Sequence, residues 1–174
     1  MTQTMKFSIL DEDGIIAIVN TKDYTTFVDE DWDLKQLFDH FVIQMNRQNL
    51  IIWKSNNDGG GQWNIEVLFE PSNKPAFREF TKTINVTDGK LHFVTYTDIT
   101  MAAQFEDEIL PSKQNADLQI LLENGLYSVT VRQLFNPDNY DFEDTQETSF
   151  ELIFTETISE NKTYAENVFW WEED

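Results

Sequence analysis

Residues Leu118–Phe135 read LQILLENGLYSVTVRQLF, two apolar, β-prone runs on either side of Asn124-Gly125. After the turn, Leu126, Val129, Val131 and Leu134 are mixed with Tyr127, Ser128, Thr130, Arg132 and Gln133. Val, Tyr, Thr and Phe suit a half-buried pleated surface better than a helix. Asn-Gly supplies the positive φ that a type I′ turn needs at both central positions. The stretch therefore predicts a β-hairpin across Asn124-Gly125, onto which the rest of the chain packs.

Similar signals recur along the chain. Met5–Leu10 and Ile15–Asn20 flank Asp11-Glu12-Asp13-Gly14 and predict a second hairpin, which Tyr24–Val28 extends or follows. Leu50–Ser55 and Trp63–Phe69 flank Asn56-Asn57-Asp58-Gly59-Gly60-Gly61, and Trp63, Ile65, Val67 and Phe69 alternate with Asn64, Glu66 and Leu68. Phe77–Val86 turns at Asp88-Gly89 into Leu91–Tyr96, and Phe150–Thr157 is a further strand. Leu34, Leu37, Phe38, Phe41 and Met45 recur at helical spacing behind Asp29-Glu30-Asp31-Trp32-Asp33. Asp31 or Asp33 is the expected N-cap of that helix. Phe41-Val42-Ile43 also suits a strand, which leaves the helix's far end open. Met101–Ile109 reads as a second short helix or an irregular segment, closed by Pro111. No internal repeat is visible. Many short strands with turn signals describe a mainly β fold, an antiparallel β-sandwich or partly open barrel with one or two short helices. Residues 1–174 are expected to form a single domain.

Composition limits the partners. The 174 residues include 12 Lys+Arg against 32 Asp+Glu, a formal net charge of −20. Nucleic-acid affinity rests on neutralising phosphates with cations, so this balance argues against nucleic acid, and equally against an anionic membrane. An acidic surface either serves solubility or steers a basic partner by long-range attraction. Hydrophobic residues make up 40% of the chain, enough to build a core despite the charge. There is no cysteine, which excludes disulfides, thiolate catalysis and Cys-ligated metals. The N-terminus lacks the features of a signal peptide, and no apolar run approaches the roughly 20 residues of a membrane span. The expectation is a cytoplasmic protein without a cofactor.

No catalytic or metal motif stands out. Asp29-x-Asp31-x-Asp33 imitates the start of a calcium loop, but Leu34 and His40 occupy the positions where that loop needs Gly and Glu, so helix capping is the reading. His40 and His92 are the two histidines and have no evident partners. The serines lack a Gly-x-Ser-x-Gly context, and no Lys-Ser/Thr follows Gly59-Gly60-Gly61. Gly61-Gln62-Trp63 matches the Gly-x-Trp element of lipocalins, yet lies a third of the way along the chain. A small-ligand-binding β-barrel or sandwich module thus stays as an alternative. A hydrolase built on paired carboxylates is a further one, with no motif to name.

Asn136–Thr148, NPDNYDFEDTQET, is more informative. Asp138, Asp141, Glu143, Asp144 and Glu147 surround Tyr140 and Phe142, with no basic residue among them. Aromatics serve as interface anchors while an acidic rim steers a basic partner; the alternative is a solvated loop whose rings fold back onto the sandwich. Phe169-Trp170-Trp171 beside Glu172-Glu173-Asp174 repeats the combination.

The stretch Thr83–Phe135 runs a strand to Asp88-Gly89, a second strand, a middle segment ending in Leu110-Pro111, then a Gly-centred turn carrying Leu122, Gly125, Tyr127 and Val129. In this order it resembles small bacterial proteins similar to the competence-associated DNA-entry nuclease inhibitor. The resemblance covers under a third of the chain and carries over no functional residue. It implies an acidic, non-catalytic protein that binds and blocks a nuclease, as immunity proteins block toxins. Composition permits the same mechanism, because a nuclease is basic where it holds phosphate. The expected contact residues are Asp138, Tyr140, Asp141, Phe142, Glu143, Asp144 and Glu147; the oligomeric state is left open.

Overall fold

In the strand Gly61–Leu68, Trp63, Ile65 and Val67 are buried while Gln62, Asn64, Glu66 and Leu68 are not, as the two-residue period demands of a sheet with one covered face. The computed structural model describes residues 4–57, 59–139, 147–158 and 164–171. It contains β1 (Met5–Asp11), β2 (Ile15–Val19), α1 (Leu34–Asn46), β3 (Leu50–Lys54), β4 (Gly61–Leu68), β5 (Arg78–Val86), β6 (Lys90–Thr95), α2 (Tyr96–Gln104), β7 (Gln119–Leu121), β8 (Gly125–Gln133) and β9 (Phe150–Glu156). The strands form a five-stranded sheet, β1-β4-β9-β8-β5, and a four-stranded sheet, β3-β2-β6-β7. The β4–β9 pair is parallel and the other strand pairs are antiparallel. The sheets pack face to face as a sandwich rather than closing into a barrel.

The predicted hairpin across Asn124-Gly125 does not form. β7 pairs with β6 in the four-stranded sheet, whereas β8 pairs with β5 and β9 in the five-stranded one. The chain turns there, but it turns from one sheet into the other. Asp11–Gly14 and Asp88-Gly89 behave in the same way, carrying β1 into β2 and β5 into β6 across the sandwich. The loop from β3 to β4 crosses too. Each of the four crossings holds a glycine at positive φ: Gly14 at 83°, Gly59 at 99°, Gly89 at 71° and Gly125 at 154°. A crossing and a hairpin need the same backbone reversal, so Gly-containing turn residues announce both alike.

These crossings give the topology a hidden duplication. In β1-β2-α1-β3-β4 the outer strands pair in the five-stranded sheet and the inner strands pair in the four-stranded sheet. β5-β6-α2-β7-β8 repeats that arrangement. The halves meet along the antiparallel β2–β6 pair, while β9 fills the space between β4 and β8.

Within each half the two crossings lock together. The Ser55 amide donates to the Gly14 carbonyl (2.7 Å), and in the other half the Leu122 amide donates to that of Gly89 (3.0 Å). The Gly89 amide also donates to Asn124 Oδ1 (2.7 Å). Asp11 provides the tighter lock. Its Oδ1 accepts the amides of Asp13 (3.1 Å), Gly14 (2.9 Å) and Ile15 (3.2 Å), and its Oδ2 accepts Ser55 Oγ (2.5 Å) and Trp63 Nε1 (3.2 Å). Gly60 passes so close to the backbone at Asp11 that a Cβ there would lie 1.5 Å from the Asp11 carbonyl oxygen.

The core between the sheets is aromatic at its Asp11 end. Phe150 lies 5.9 Å from Trp53 and 5.2 Å from Trp63, centroid to centroid, in the tilted and edge-on geometries that ring quadrupoles favour. A second core lies on the far face of the four-stranded sheet, where Ala17, Leu50, Ile52 and Val94 meet Leu37, Phe41 and Met45 of α1 and Ile99, Ala102 and Ala103 of α2. α1 is a helix to Asn46, so Phe41-Val42-Ile43 is not a strand, and its N-cap is Asp33 in a reciprocal capping box with Gln36. The Tyr24–Val28 stretch is irregular rather than a strand. α2 starts five residues earlier than expected because Thr95 caps it with Asp98 at the third position; Phe105–Ile109 is irregular.

The C-terminal Phe-Trp-Trp packs as part of the core. Phe169 bridges to Trp53 on the free edge of β3, donating to the Ile52 carbonyl (3.2 Å) and accepting from the Lys54 amide (2.9 Å). Its ring stacks on Phe80 at 3.8 Å, Trp170 lies under the Arg78 guanidinium at 4.2 Å, and Trp171 packs edge-on against Phe38. This pairing covers an edge that would otherwise template aggregation.

Two measurements test this architecture. Asp11→Asn sets an amide donor against other donors in either orientation and should cost about 2–4 kcal/mol in chemical denaturation, while exposed Glu12→Gln should change stability by less than about 0.5 kcal/mol. The second concerns His92, whose Nδ1 is buried without a partner among the described residues; burial first, then Lys90, lowers its pKa from the usual value, against a smaller opposing pull from Asp88. A histidine with a depressed folded pKa stays neutral in the fold but is protonated in the unfolded chain. Its stabilisation is therefore present above about pH 6.5 and lost as the pH falls below it. Compared with wild type, His92→Gln should lose less stability, or gain more, between about pH 7.5 and pH 5.5 in paired melts.

Candidate partner-binding surface

The acidic loop leaves the five-stranded sheet after β8 and returns at β9. Its two ends are pinned side by side: the Leu134 amide donates to the Ser149 carbonyl (2.9 Å), and the Ser149 amide to that of Asn64 (2.8 Å). Asn64 Nδ2 in turn donates to the Glu147 carbonyl (3.3 Å). A short 3₁₀ turn, Pro137–Asn139, starts the loop, with the Asp138 amide bonded to Asn136 Oδ1 (3.0 Å). Asp138 and Glu147 are both exposed. Tyr140, Asp141, Phe142, Glu143 and Asp144 lie outside the described residues. By strand register the loop base sits at the end of the sandwich where Asp11 pairs with Gly61, so the exposed Glu12 and Asp13 of the first crossing share that end.

Below the loop, buried Gln133 ties the layers together. It accepts from Arg78 Nε (2.6 Å) and donates to the Ser55 carbonyl (2.9 Å), one residue beyond the Lys54 carbonyl that Arg78 also reaches. On the outer face of the same sheet, Arg132 pairs with Glu79 (2.9 Å) and Glu151 and donates to the Lys74 carbonyl. Ser72 Oγ donates to the same Glu151. The segment from β4 to β5 therefore crosses over this ion pair and covers it. Arg78 and Arg132 are thus engaged within the fold, while Glu12, Asp13, Asp138 and Glu147 are exposed at the Asp11 end.

A second acidic surface was not singled out by sequence. The amides of Val28 and Asp29 both donate to the Ala103 carbonyl (2.8 and 3.2 Å), joining the Asp29–Asp33 stretch to the end of α2. Asp29, Glu30 and Asp31 on one strand of chain, and Glu106, Asp107 and Glu108 on the other, are all exposed. Beside them Met101, Phe105 and Ile109 are also exposed, Ile109 to 71%. The two stretches are far apart in sequence, and only the shared Ala103 carbonyl reveals their proximity. The nearest signal in the sequence is Phe-Glu-Asp-Glu-Ile itself, an acidic triplet between two large apolar residues.

Among the described residues Asp11 is the carboxylate whose pKa is raised, by burial, against opposing bonds from Ser55, Gly14, Asp13 and Trp63; it is 1% exposed. The two histidines are separate. His40 Nε2 contacts the Thr25 carbonyl (2.7 Å) beside Tyr24, whereas His92 is buried on β6. Among the described residues no group of three or more His, Asp or Glu side chains gathers as for a metal, and no helix is long and apolar enough to cross a membrane.

No protein-family model and no curated protein sequence matches the chain. Among solved structures it is similar to one described as crocagin biosynthetic gene J, at 9% identity and TM-score 0.54, over 87% of this chain and 96% of that one. It is also similar to ComJ, inhibitor of the DNA degrading activity of NucA, from Bacillus subtilis, at 16% identity and TM-score 0.46, over 88% of this chain and 96% of that one. A nuclease inhibitor of the kind that Thr83–Phe135 resembles is therefore among its structural neighbours. At such identities the first likeness speaks for the fold alone: two sheets of this topology with their helical layer.

Proposed function

We propose that this protein works by binding rather than by chemistry, as an immunity protein or inhibitor that covers the basic surface of a protein partner such as a nuclease. The observation that carries this reading is the placement of charge. Exposed carboxylates gather around exposed apolar side chains, while Arg132 is spent on an internal ion pair. A nuclease presents cations where it holds phosphate, so a carboxylate-rich face can occupy that site and accelerate encounter. Desolvated aromatic anchors then supply affinity that surface charge alone does not.

Asp138, Asp141, Glu143, Asp144 and Glu147 are the proposed steering residues, with Tyr140 and Phe142 as anchors. The Asp29–Asp31 and Glu106–Glu108 surface offers a second contact of the same chemistry. The partner is a basic protein, and neither nucleic acid nor membrane is a ligand. The proposed location is the cytoplasm, where an immunity protein guards its own cell.

The products of neighbouring genes, purified and tested by interferometry, provide the measurement. A basic partner should bind, with an association rate that falls at least about tenfold between 50 mM and 300 mM salt, because exposed charges are screened over roughly one Debye length. Reversing Asp141, Glu143 and Asp144 to Lys should weaken binding by at least about tenfold. If the loop triple leaves affinity intact while reversal of Glu106, Asp107 and Glu108 abolishes it, the contact lies on the Asp29–Asp31 and Glu106–Glu108 surface. If no basic product binds even at low salt, the reading fails.

A further inference from the structure

The end of the sandwich away from Asp11 is open. β7 has three residues against nine in β8, so the four-stranded sheet stops short on that side. The gap is a groove of about 820 Å³. Its floor is aromatic: Phe154 lies 6.1 Å from Tyr127 and 6.2 Å from Phe69, centroid to centroid. Exposed Leu121 forms one wall, and the exposed carboxylate residues Glu123 and Glu156 stand at the rim.

Charge and shape together select the ligand. Among the described residues no basic side chain lines the groove. The nearest cation by register, Lys90 opposite Leu121, is 3.9 Å from Asp88 on its own side of the turn. Tyr127, itself buried, donates its hydroxyl to the Glu123 carbonyl (2.7 Å), so its polar atom is already satisfied. Burial, then the charges of Glu156 and Glu123, push the Tyr127 pKa up, so the negative field of both carboxylates reaches the phenol. An anion would meet two carboxylates here, and a neutral apolar molecule would desolvate them without return. A cation on an apolar stem satisfies both features, since its charge faces the carboxylates while its stem covers exposed Leu121 and half-buried Phe69.

We infer that the groove between β7 and the β8–β9 end binds an organic cation, an ammonium or guanidinium on an apolar or aromatic stem. The inference is independent of the proposed basic partner at the acidic loop. Such a cation can be a free small molecule or a basic side chain of a polypeptide.

Calorimetry and amide chemical-shift mapping on the full chain test it. Phenethylamine should bind and shift resonances of Phe69, Tyr127 and Phe154; phenethyl alcohol should bind at least about tenfold more weakly, and phenylacetate not at all. Glu123→Gln with Glu156→Gln, both at exposed positions, should leave the melting temperature unchanged and weaken phenethylamine at least about tenfold. Asp29→Asn with Asp31→Asn controls for diffuse attraction to a protein of charge −20 and should have no effect. An N-acetylated Phe-Arg-Phe peptide amide binding at least about tenfold tighter than phenethylamine identifies a polypeptide side chain as the source; equal or weaker binding identifies a small molecule. Equal binding of amine and alcohol, or an amine affinity untouched by the double Gln variant, overturns the inference.

Discussion

One carboxylate holds the first half of this molecule in register. Asp11 ends β1, receives three amides of the turn that follows, and then reaches Ser55 beyond β3 across the sandwich and Trp63 on the neighbouring β4. A carboxylate buried without a cation is costly unless each lone pair is occupied, and here five donors converge on two oxygens. The crossings at Gly14 and Gly59 are thereby fastened to each other, which sets how β1 and β4 of one sheet stand over β2 and β3 of the other. In the second half the side-chain bond between the crossings is a single one, from the Gly89 amide to neutral Asn124 in the β7–β8 crossing. The two halves share a topology but not the strength of the lock, and the weaker one lies beside the open groove.

The crossings also explain the layered build. Because the crossings bring β2 and β3, and likewise β6 and β7, into the four-stranded sheet, the helices α1 and α2 each connect two strands of that sheet. Both helices then lie on the same outer face and share one core with it. The outer face of the five-stranded sheet carries Arg132 under the strap from β4 to β5. That face tolerates the ion pair because Glu79 remains half in water while Glu151 is buried, so the guanidinium bridges solvent and interior. The C-terminal Phe169–Trp171 finishes the structure by covering β3 and filling the gap beside Phe80.

Electrostatics follow from this packing. Lys54 and Arg78 lie over the rings of Trp171 and Trp170, and Lys82 is buried on β5. The carboxylates stay largely outside, where hydration is cheap and mutual repulsion is moderated by spreading over two surfaces. Binding of a basic partner would relieve that repulsion, which is a general reason for an acidic inhibitor to associate quickly.

Local pattern determined a good deal here. Periodicity placed α1 and the alternating face of β4, and composition determined the sign of the field. Asp-Gly and Asn-Gly marked where the chain reverses. None of these signals says which sheet a strand joins. A turn residue encodes φ and ψ for a few positions, and the same reversal serves a hairpin or a crossing; the choice depends on long-range pairing, β8 with β5 and β9 rather than with β7. For the same reason Asp11 read as one acid of a surface turn and proved to be a buried anchor. The acidic face at Ala103 was invisible because its two stretches meet only in space. Local sequence thus settled conformation and charge, and tertiary packing decided which residues became core, lock and surface.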